Sequence, residues 1–395
     1  MHRLRLRSLA PSQTTTPAVP LDAFLLRETR PLNRPDPPKH TTAATPTTEE
    51  PSGLPIPLKP KRSARASSGR VTLNEVARRA GVSPMTVSRV INQPATVSPE
   101  VQKIVRAAID ELGYVPNLLA GALASSKTRL VAAIVPTLAH MMFASTVQIV
   151  ADRLAAEGYQ VLLGLSGYPE TVREEELIRA MLSRVPDALY LTGTFHSAAT
   201  RRQLKAANIP IVETWDLSRR PIDMAVGFSH TVVGEAVAHF LLTKGYDRFA
   251  TISAGDERAL MRRDGFARTV ERLGASSIDI VTPAPTNVPM GRQEIGRLID
   301  QGFRGAVFCS SDALALGVVT ETLARGMKVP EDIAVIGFGD FDYAGNTSPR
   351  LSSVLVDRQR VADLAADALL ARLAGRTFSP KVVDVGFRIV DRETT

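Results

Sequence analysis

The sequence predicts an α/β fold with two doubly wound parallel sheets and a small helical module in front of them. Three observations carry this. From Leu130 to Gly339, short apolar runs alternate with helical patterns, giving about nine strands, which suits two lobes better than one. Ahead of that region, "EVARRAGVSPMTVSRVINQ" (Glu75 to Gln93) holds two short helical patterns broken at Ala80-Gly81-Val82-Ser83. Residues 1–68 follow neither pattern; they contain 12 of the 27 prolines and long Thr/Ser/Pro runs.

In chain order, residues 1–68 form a basic Pro/Thr-rich extension whose composition buries too little apolar surface to offset chain entropy, so disorder is expected. Order is expected near Val71, in a module spanning 69–115. Thr72 and Glu75 have the spacing of a capping box. Gly81 suits the left-handed residue that ends a helix, Ser83 suits an N-cap, and Pro84 suits the first helical position. A third helix is expected from Ser98-Pro99-Glu100 to Gly113, with Val101, Ile104, Val105, Ala108, Ile109 and Leu112 at helical spacing. The core, 129–395, reads as strand "LVAAIVP", helix 145–158, strand "QVLLGLS", helix 171–184, strand "ALYLTG", helix 197–207 and strand "IPIVET". The alternation continues with helix 231–244, "FATIS", helix 261–273, "IDIVTP", helix 289–301, "GAVFCSS", helix 312–325 and "IAVIGFG". Such alternation means parallel sheets covered on both faces, with ligands at the C-terminal strand ends.

Two helices joined by a Gly-containing turn make a helix-turn-helix, whose second helix enters the DNA major groove. That helix is expected from Pro84 to about Ile91, with Pro84, Met85 and Arg89 facing base edges. Arginine has the planar fork that grips guanine O6 and N7. The hydroxyls of Ser83, Thr86 and Ser88 suit phosphate oxygens. A plain helical hairpin remains the alternative at this point. Charge favours the DNA reading. Residues 1–68 carry 11 basic and 5 acidic side chains, residues 69–128 carry 7 and 4, and residues 129–395 carry 30 and 31, so the net charge of +8 resides in the first third.

Other classes find little support. Only one cysteine, Cys309, is present, so no internal disulfide forms, which fits a reducing cytoplasm. No run of about 18 apolar residues suggests a membrane span, and the basic N-terminus lacks the apolar core of a secretory signal, which argues against an exported solute-binding protein. Neither a Gly-rich phosphate loop nor a nucleophile elbow is visible. The six histidines, at 2, 40, 140, 196, 230 and 239, have no ligand-like spacing. No catalytic residue, metal or cofactor is therefore expected.

The run "VTLNEVARRAGVSPMTVSRVINQPATVSPEVQKIVRAAIDELGYVPN" resembles the headpiece of LacI/GalR-family transcription regulators. "VAAIVP", "FLLTKGYDRFATIS", "VFCSSDALALGVV", "GMKVPEDIAVIGFGD" and "RLSSVLVD" resemble the family's core in the same order, over about 70–390. "DMAVGF", "YVPN", "MTVSR" and "PKVVDVGF" are similar to the gluconate-operon repressor branch.

The resemblance implies a hinge between headpiece and core, 116–128, that becomes helical on DNA. Leu123 stands where an apolar wedge enters the minor groove, and Ala120 and Ala124 where paired hinges pack. Gly121 departs from the pattern and weakens hinge helicity by about 1 kcal/mol against alanine. The implied DNA-contacting set is Thr72, Ser83, Pro84, Met85, Thr86, Ser88 and Arg89, with Asn117, Leu123 and Ala124 in the hinge. It also implies a two-lobed periplasmic-binding-protein-like core with three crossovers and a small-molecule effector in the cleft. The cleft candidates are Thr137, Phe143, Trp215, Arg262, Ser311, Asp312, Asp340 and Arg358. Structural roles compete: core packing for Phe143 and Trp215, helix capping for Asp312, a surface ion pair for Arg358.

Gly339 stands where many sugar-sensing relatives carry an acid, and Arg262 and Arg358 fall where relatives line the pocket. Arginine binds carboxylate bidentately, so a sugar acid such as gluconate or a phosphorylated form is the expected effector. Asp340 counts against this, since it could supply a carboxylate one residue along. Ser229-His230 departs from the acidic/amide pair common at that crossover. The remaining expectations are a cytoplasmic homodimer on pseudopalindromic operator DNA, without a heptad tail, and a core sensing a sugar acid or, alternatively, a neutral sugar or nucleoside.

Overall fold

The computed structural model describes residues 71–116, 127–168 and 170–395. The extension 1–68 and the hinge positions Asn117, Ala120, Gly121, Leu123 and Ala124 lie outside the described residues.

The headpiece has three helices: α1 (Leu73–Ala80), α2 (Pro84–Asn92) and α3 (Pro99–Leu112). Thr72 and Glu75 form the expected reciprocal capping box. Gly81 ends α1 at φ 67, a conformation that a Cβ would disfavour. Ser83 caps α2 by accepting from the Thr86 amide, and Gly113 ends α3. Val76, Ala77, Val87, Val90, Val105, Ala108 and Tyr114 close the mini-core. Val71, Leu73, Ala80, Val82 and Ile91 are partly buried and pack against it.

The core alternates β1 (Leu130–Val135), α4 (Met141–Ala156), β2 (Gln160–Leu165), α5 (Glu170–Leu182), β3 (Ala188–Thr192), α6 (Ala198–Ala207), β4 (Ile211–Thr214) and β5 (Met224–Gly227). Then follow α7 (His230–Thr243), β6 (Phe249–Ala254), α8 (Glu257–Arg272), β7 (Ser277–Thr282), α9 (Val288–Asp300), β8 (Gly305–Cys309), α10 (Asp312–Ala324) and β9 (Ile333–Phe338). The end is β10 (Ser352–Leu355), α11 (Arg358–Leu373), β11 (Val382–Asp384) and β12 (Arg388–Val390).

The described strands form two six-stranded sheets, ordered β11-β5-β4-β3-β1-β2 and β12-β10-β9-β8-β6-β7. Every pairing is parallel except β10 with β12. The chain passes between sheets after β5, after β10 and after β11, which gives the three expected crossovers. Helix α11 packs on α4 and on β3, β4 and β5, so it belongs to the first lobe although it follows a strand of the second.

Two helices begin a turn earlier than their sequence pattern suggests. Asp256 caps α8, which therefore includes Arg258, and α4 starts at Met141. Strand β5, helix α11 and strands β10 to β12 were not foreseen as elements. At three or four residues these strands are too short to show a period, and the apolar and charged residues of α11 contrast little around the helix.

Candidate functional site

Residues from both lobes meet in a cavity of about 50 Å³ at the C-terminal strand ends. His140, Met142 and Phe143 come from the start of α4, Tyr168 from beyond β2 and Trp215 from beyond β4. The second lobe contributes His230, Ala254, Asp256, Arg258, Arg262, Thr286, Ser310, Ser311, Phe338 and Phe341. The N-termini of α4, α7, α8 and α10 all reach this place, where the helix dipoles favour negative charge.

Arg258 and Arg262 are four apart on α8, hence on one face, and both are buried. Arg262 donates from Nη1 to His230 Nδ1 at 2.8 Å and from Nη2 to the Ser310 carbonyl at 3.2 Å. Its guanidinium lies 4.0 Å over the Phe338 ring, and its Nε makes no hydrogen bond. Burial pushes its pKa down to about 10, which leaves it charged at neutral pH. The Arg258 guanidinium lies 5.4 Å from the centre of the Phe143 ring, across the cleft. Burial, and then Arg262 and Arg258, hold the His230 imidazole well below its ordinary range, so it is neutral. Asp256 is the carboxylate among these cavity residues, and it accepts the Ala259 amide as the α8 cap.

Trp215 is 1% exposed, at a positive φ of 66 that a bulky residue rarely adopts. Its ring meets Phe143 edge-on at 6.0 Å and Phe228 at 6.2 Å. Ser311 caps α10 and shares a hydrogen bond with Thr286 at 2.9 Å.

Of the eight expected cleft residues, Phe143, Trp215, Arg262 and Ser311 line the cavity, and the other four do not. Thr137 turns back to accept the Ala139 amide at 3.0 Å. Asp312 is fully buried beneath the cavity, accepting Ser353 Oγ at 2.5 Å and the Phe341 amide at 2.9 Å. Asp340 points to Arg392, 2.6 Å away, so its carboxylate does not replace one at Gly339. Arg358 donates to the Gly339 carbonyl at 3.0 Å and lies 4.9 Å from the Phe341 ring centre, where it joins the lobes behind that ring. Arg258 was missed, although "RALMR" carries the signal: two arginines at i and i+4 in a helix that opens at a strand end.

In the headpiece, Ser83, Pro84, Met85 and Arg89 are exposed, Met85 to 64%. Thr86 and Ser88 are half-buried. Thr72 is exposed, but its hydroxyl is engaged with Glu75 Oε2 at 3.0 Å. Arg79 pairs with Glu111 and so ties α1 to α3.

A helix-turn-helix followed by a two-lobed core with a cavity between its sheets is the architecture of a ligand-responsive bacterial regulator. The chain belongs to the LacI family: residues 72–117 match the lacI family of bacterial regulatory proteins, and residues 238–395 match a periplasmic binding protein-like domain. It is a DNA-binding transcriptional regulator. It is 42% identical over 334 residues to the HTH-type transcriptional regulator GntR of Pseudomonas aeruginosa, covering 83% of this chain and 97% of that one. With GntR of Escherichia coli the identity is 33% over 326 residues, covering 81% and 97%. Among solved structures, a LacI-family transcriptional regulator from Silicibacter pomeroyi matches at a TM-score of 0.77 and 31% identity, covering 82% of this chain and 99% of that one.

Proposed function

We propose that the chain is a repressor released from operator DNA by a sugar acid of the gluconate type, bound on Arg262 and Arg258 between the lobes. The observation that carries this reading is the pair of buried guanidiniums on one face of α8, walled by Phe143 and Phe338. The buried Arg262 Nε makes no hydrogen bond, and a carboxylate accepts from a guanidinium about twice as strongly as the neutral hydroxyl of a sugar. Similarity to two regulators named GntR points the same way. The cavity is well below the ~300–1,000 Å³ of ordinary ligand sites, so binding requires the lobes to part and close again. Phe143, Trp215 and Ser311 serve as walls and as a hydroxyl contact. Asp312, Asp340 and Arg358 act on the site through Phe341 and the lobe junction.

Residues 69–115 act as the DNA-reading headpiece, 116–128 as the hinge and 129–395 as the effector-binding, dimerising core. The DNA-reading set is Arg89, Met85 and Pro84 towards bases, Ser83, Thr86, Ser88 and Thr72 towards phosphates, and Asn117, Leu123 and Ala124 from the hinge. The chain works as a cytoplasmic homodimer on a pseudopalindrome and carries out no catalysis. Calorimetry of the full chain with gluconate, glucose and phosphogluconate tests the sensor. Gluconate is expected to bind and glucose not. Arg262→Gln is expected to weaken gluconate by about ten-fold or more, since hydrogen bonds to charged groups contribute ~1.5–3 kcal/mol. Equal binding of glucose and gluconate would refute the charge reading.

A further inference from the structure

His230 joins the guanidinium on one side of the cleft to the backbone on the other. It opens α7, which packs against α8 in the second lobe, and its ring is buried against Phe228 at 4.6 Å and Phe338 at 6.3 Å. Nδ1 lies 2.8 Å from Arg262 Nη1, and Nε2 lies 2.8 Å from the Trp215 carbonyl oxygen. A guanidinium nitrogen only donates and a carbonyl only accepts, so Nδ1 is the acceptor and Nε2 carries the hydrogen. The imidazole is therefore held neutral in one tautomer. Trp215 follows β4 of the first lobe and holds a backbone conformation that needs support from its surroundings. A continuous line of hydrogen bonds thus runs from Arg262 through His230 to the opposite lobe.

We propose that His230 is a positioning residue that ties the Arg262 guanidinium to the Trp215 turn, so that an anion seated on Arg262 is transmitted to the arrangement of the lobes. The transmission rests on the reading of the cavity as an anion site; the tie itself does not. Arg262 uses one hydrogen of each η nitrogen and leaves Nε–H without a partner, so a carboxylate can seat on the donors that remain and draw on the same guanidinium that His230 holds. That pull alters the Arg262–His230 hydrogen bond and, through Nε2–H, the Trp215 carbonyl. The charged and titratable groups around the ring are Arg262, Arg258 and Asp256 on or beside α8, His140 ahead of α4 and Tyr168 beyond β2. Burial first, and then the two arginines, disfavour a proton on Nδ1, which keeps the tie intact at neutral pH.

Trp215 is the single tryptophan of the chain, so its emission reads the tie directly. In the full chain without ligand, acrylamide should barely quench it. His230→Phe keeps a ring but loses both hydrogen bonds, so its emission should shift to the red and become quenchable. His230→Gln keeps an acceptor for Arg262 and a donor for Trp215, so it should restore shielding. With gluconate, the Phe variant should bind about ten-fold more weakly and lose the emission response, while the Gln variant keeps it. A Phe variant as shielded as the wild type, or a Gln variant as exposed as the Phe variant, would overturn the proposal. Should the Phe variant fail to fold, the nitrogen-15 spectrum of the wild-type ring decides: hydrogen on Nε2 is expected, and hydrogen on Nδ1 refutes the tie. Failure of gluconate to bind the wild type sinks the sugar-acid reading alone, since quenching and tautomer still test His230.

Discussion

Asp312 holds a carboxylate where no water reaches it. Burial raises its pKa to about 6, and the hydrogen bonds from Ser353 and the Phe341 amide only partly oppose that. An unfolded aspartate titrates near ~3.9. Between these values the folded chain binds the extra proton. The group's contribution to stability is therefore greatest below about 4 and is lost as pH rises through about 6. Asp312→Asn mimics the protonated form: its amide can donate to Ser353 while its oxygen accepts from Phe341. The variant's urea midpoint, measured against wild type, should rise from pH 5 to pH 7.5; a constant difference would remove Asp312 from the pH dependence. Sequence similarity marked this position, along with Asp340 and Arg358, as part of the pocket. It did not show that their partners, Ser353, Arg392 and the Gly339 carbonyl, draw them behind Phe341. Those partners lie 19 to 52 residues away along the chain, beyond the reach of local spacing. Arg262 was legible because its motif is local.

At the level of elements, the cleft depends on how closely α7 and α8 approach. A Cβ on Gly234 would collide with the Arg262 carbonyl, and one on Gly265 with that of Thr231, so the two helices cross backbone to backbone. That crossing sets His230 beside Arg262. Gly234→Ala should cost about 1–3 kcal/mol in urea unfolding, as overpacking does, and should also weaken gluconate binding. Unchanged values for both would mean that the helices yield without disturbing the cleft. In the headpiece, the order of caps, turn and apolar spacing was readable because each signal spans four residues or fewer. Arg89 is exposed on α2 with its guanidinium free of ion pairs among the described residues. Arg89→Ala should cost about 1–3 kcal/mol against the preferred base at one position per half-site and relax selectivity there, read by binding to a set of single-base operator variants. Retention of full selectivity would place another side chain at that base.

Across the whole molecule, charge and ligand chemistry are separated along the chain. The first 128 residues carry all the excess positive charge, and the 267 that follow are close to neutral, yet their cleft concentrates two guanidiniums. The two anion-seeking regions therefore differ in kind. The headpiece meets polyanionic DNA in water, where salt screens the attraction, and the basic extension is expected to add to it; the cleft arginines are buried, where salt screens far less. Deleting residues 1–68 should thus lower affinity for nonspecific DNA and flatten its dependence on salt between 50 and 200 mM, by up to about 0.9 in logarithmic slope for each phosphate that the extension neutralises. Gluconate affinity should stay the same, because the described cavity residues all come from the core. Fluorescence anisotropy at graded salt, with calorimetry on the same truncated chain, measures both. An unchanged slope would mean that the 11 basic side chains of the extension do not meet phosphate, and that the headpiece and hinge supply the electrostatic attraction to DNA alone.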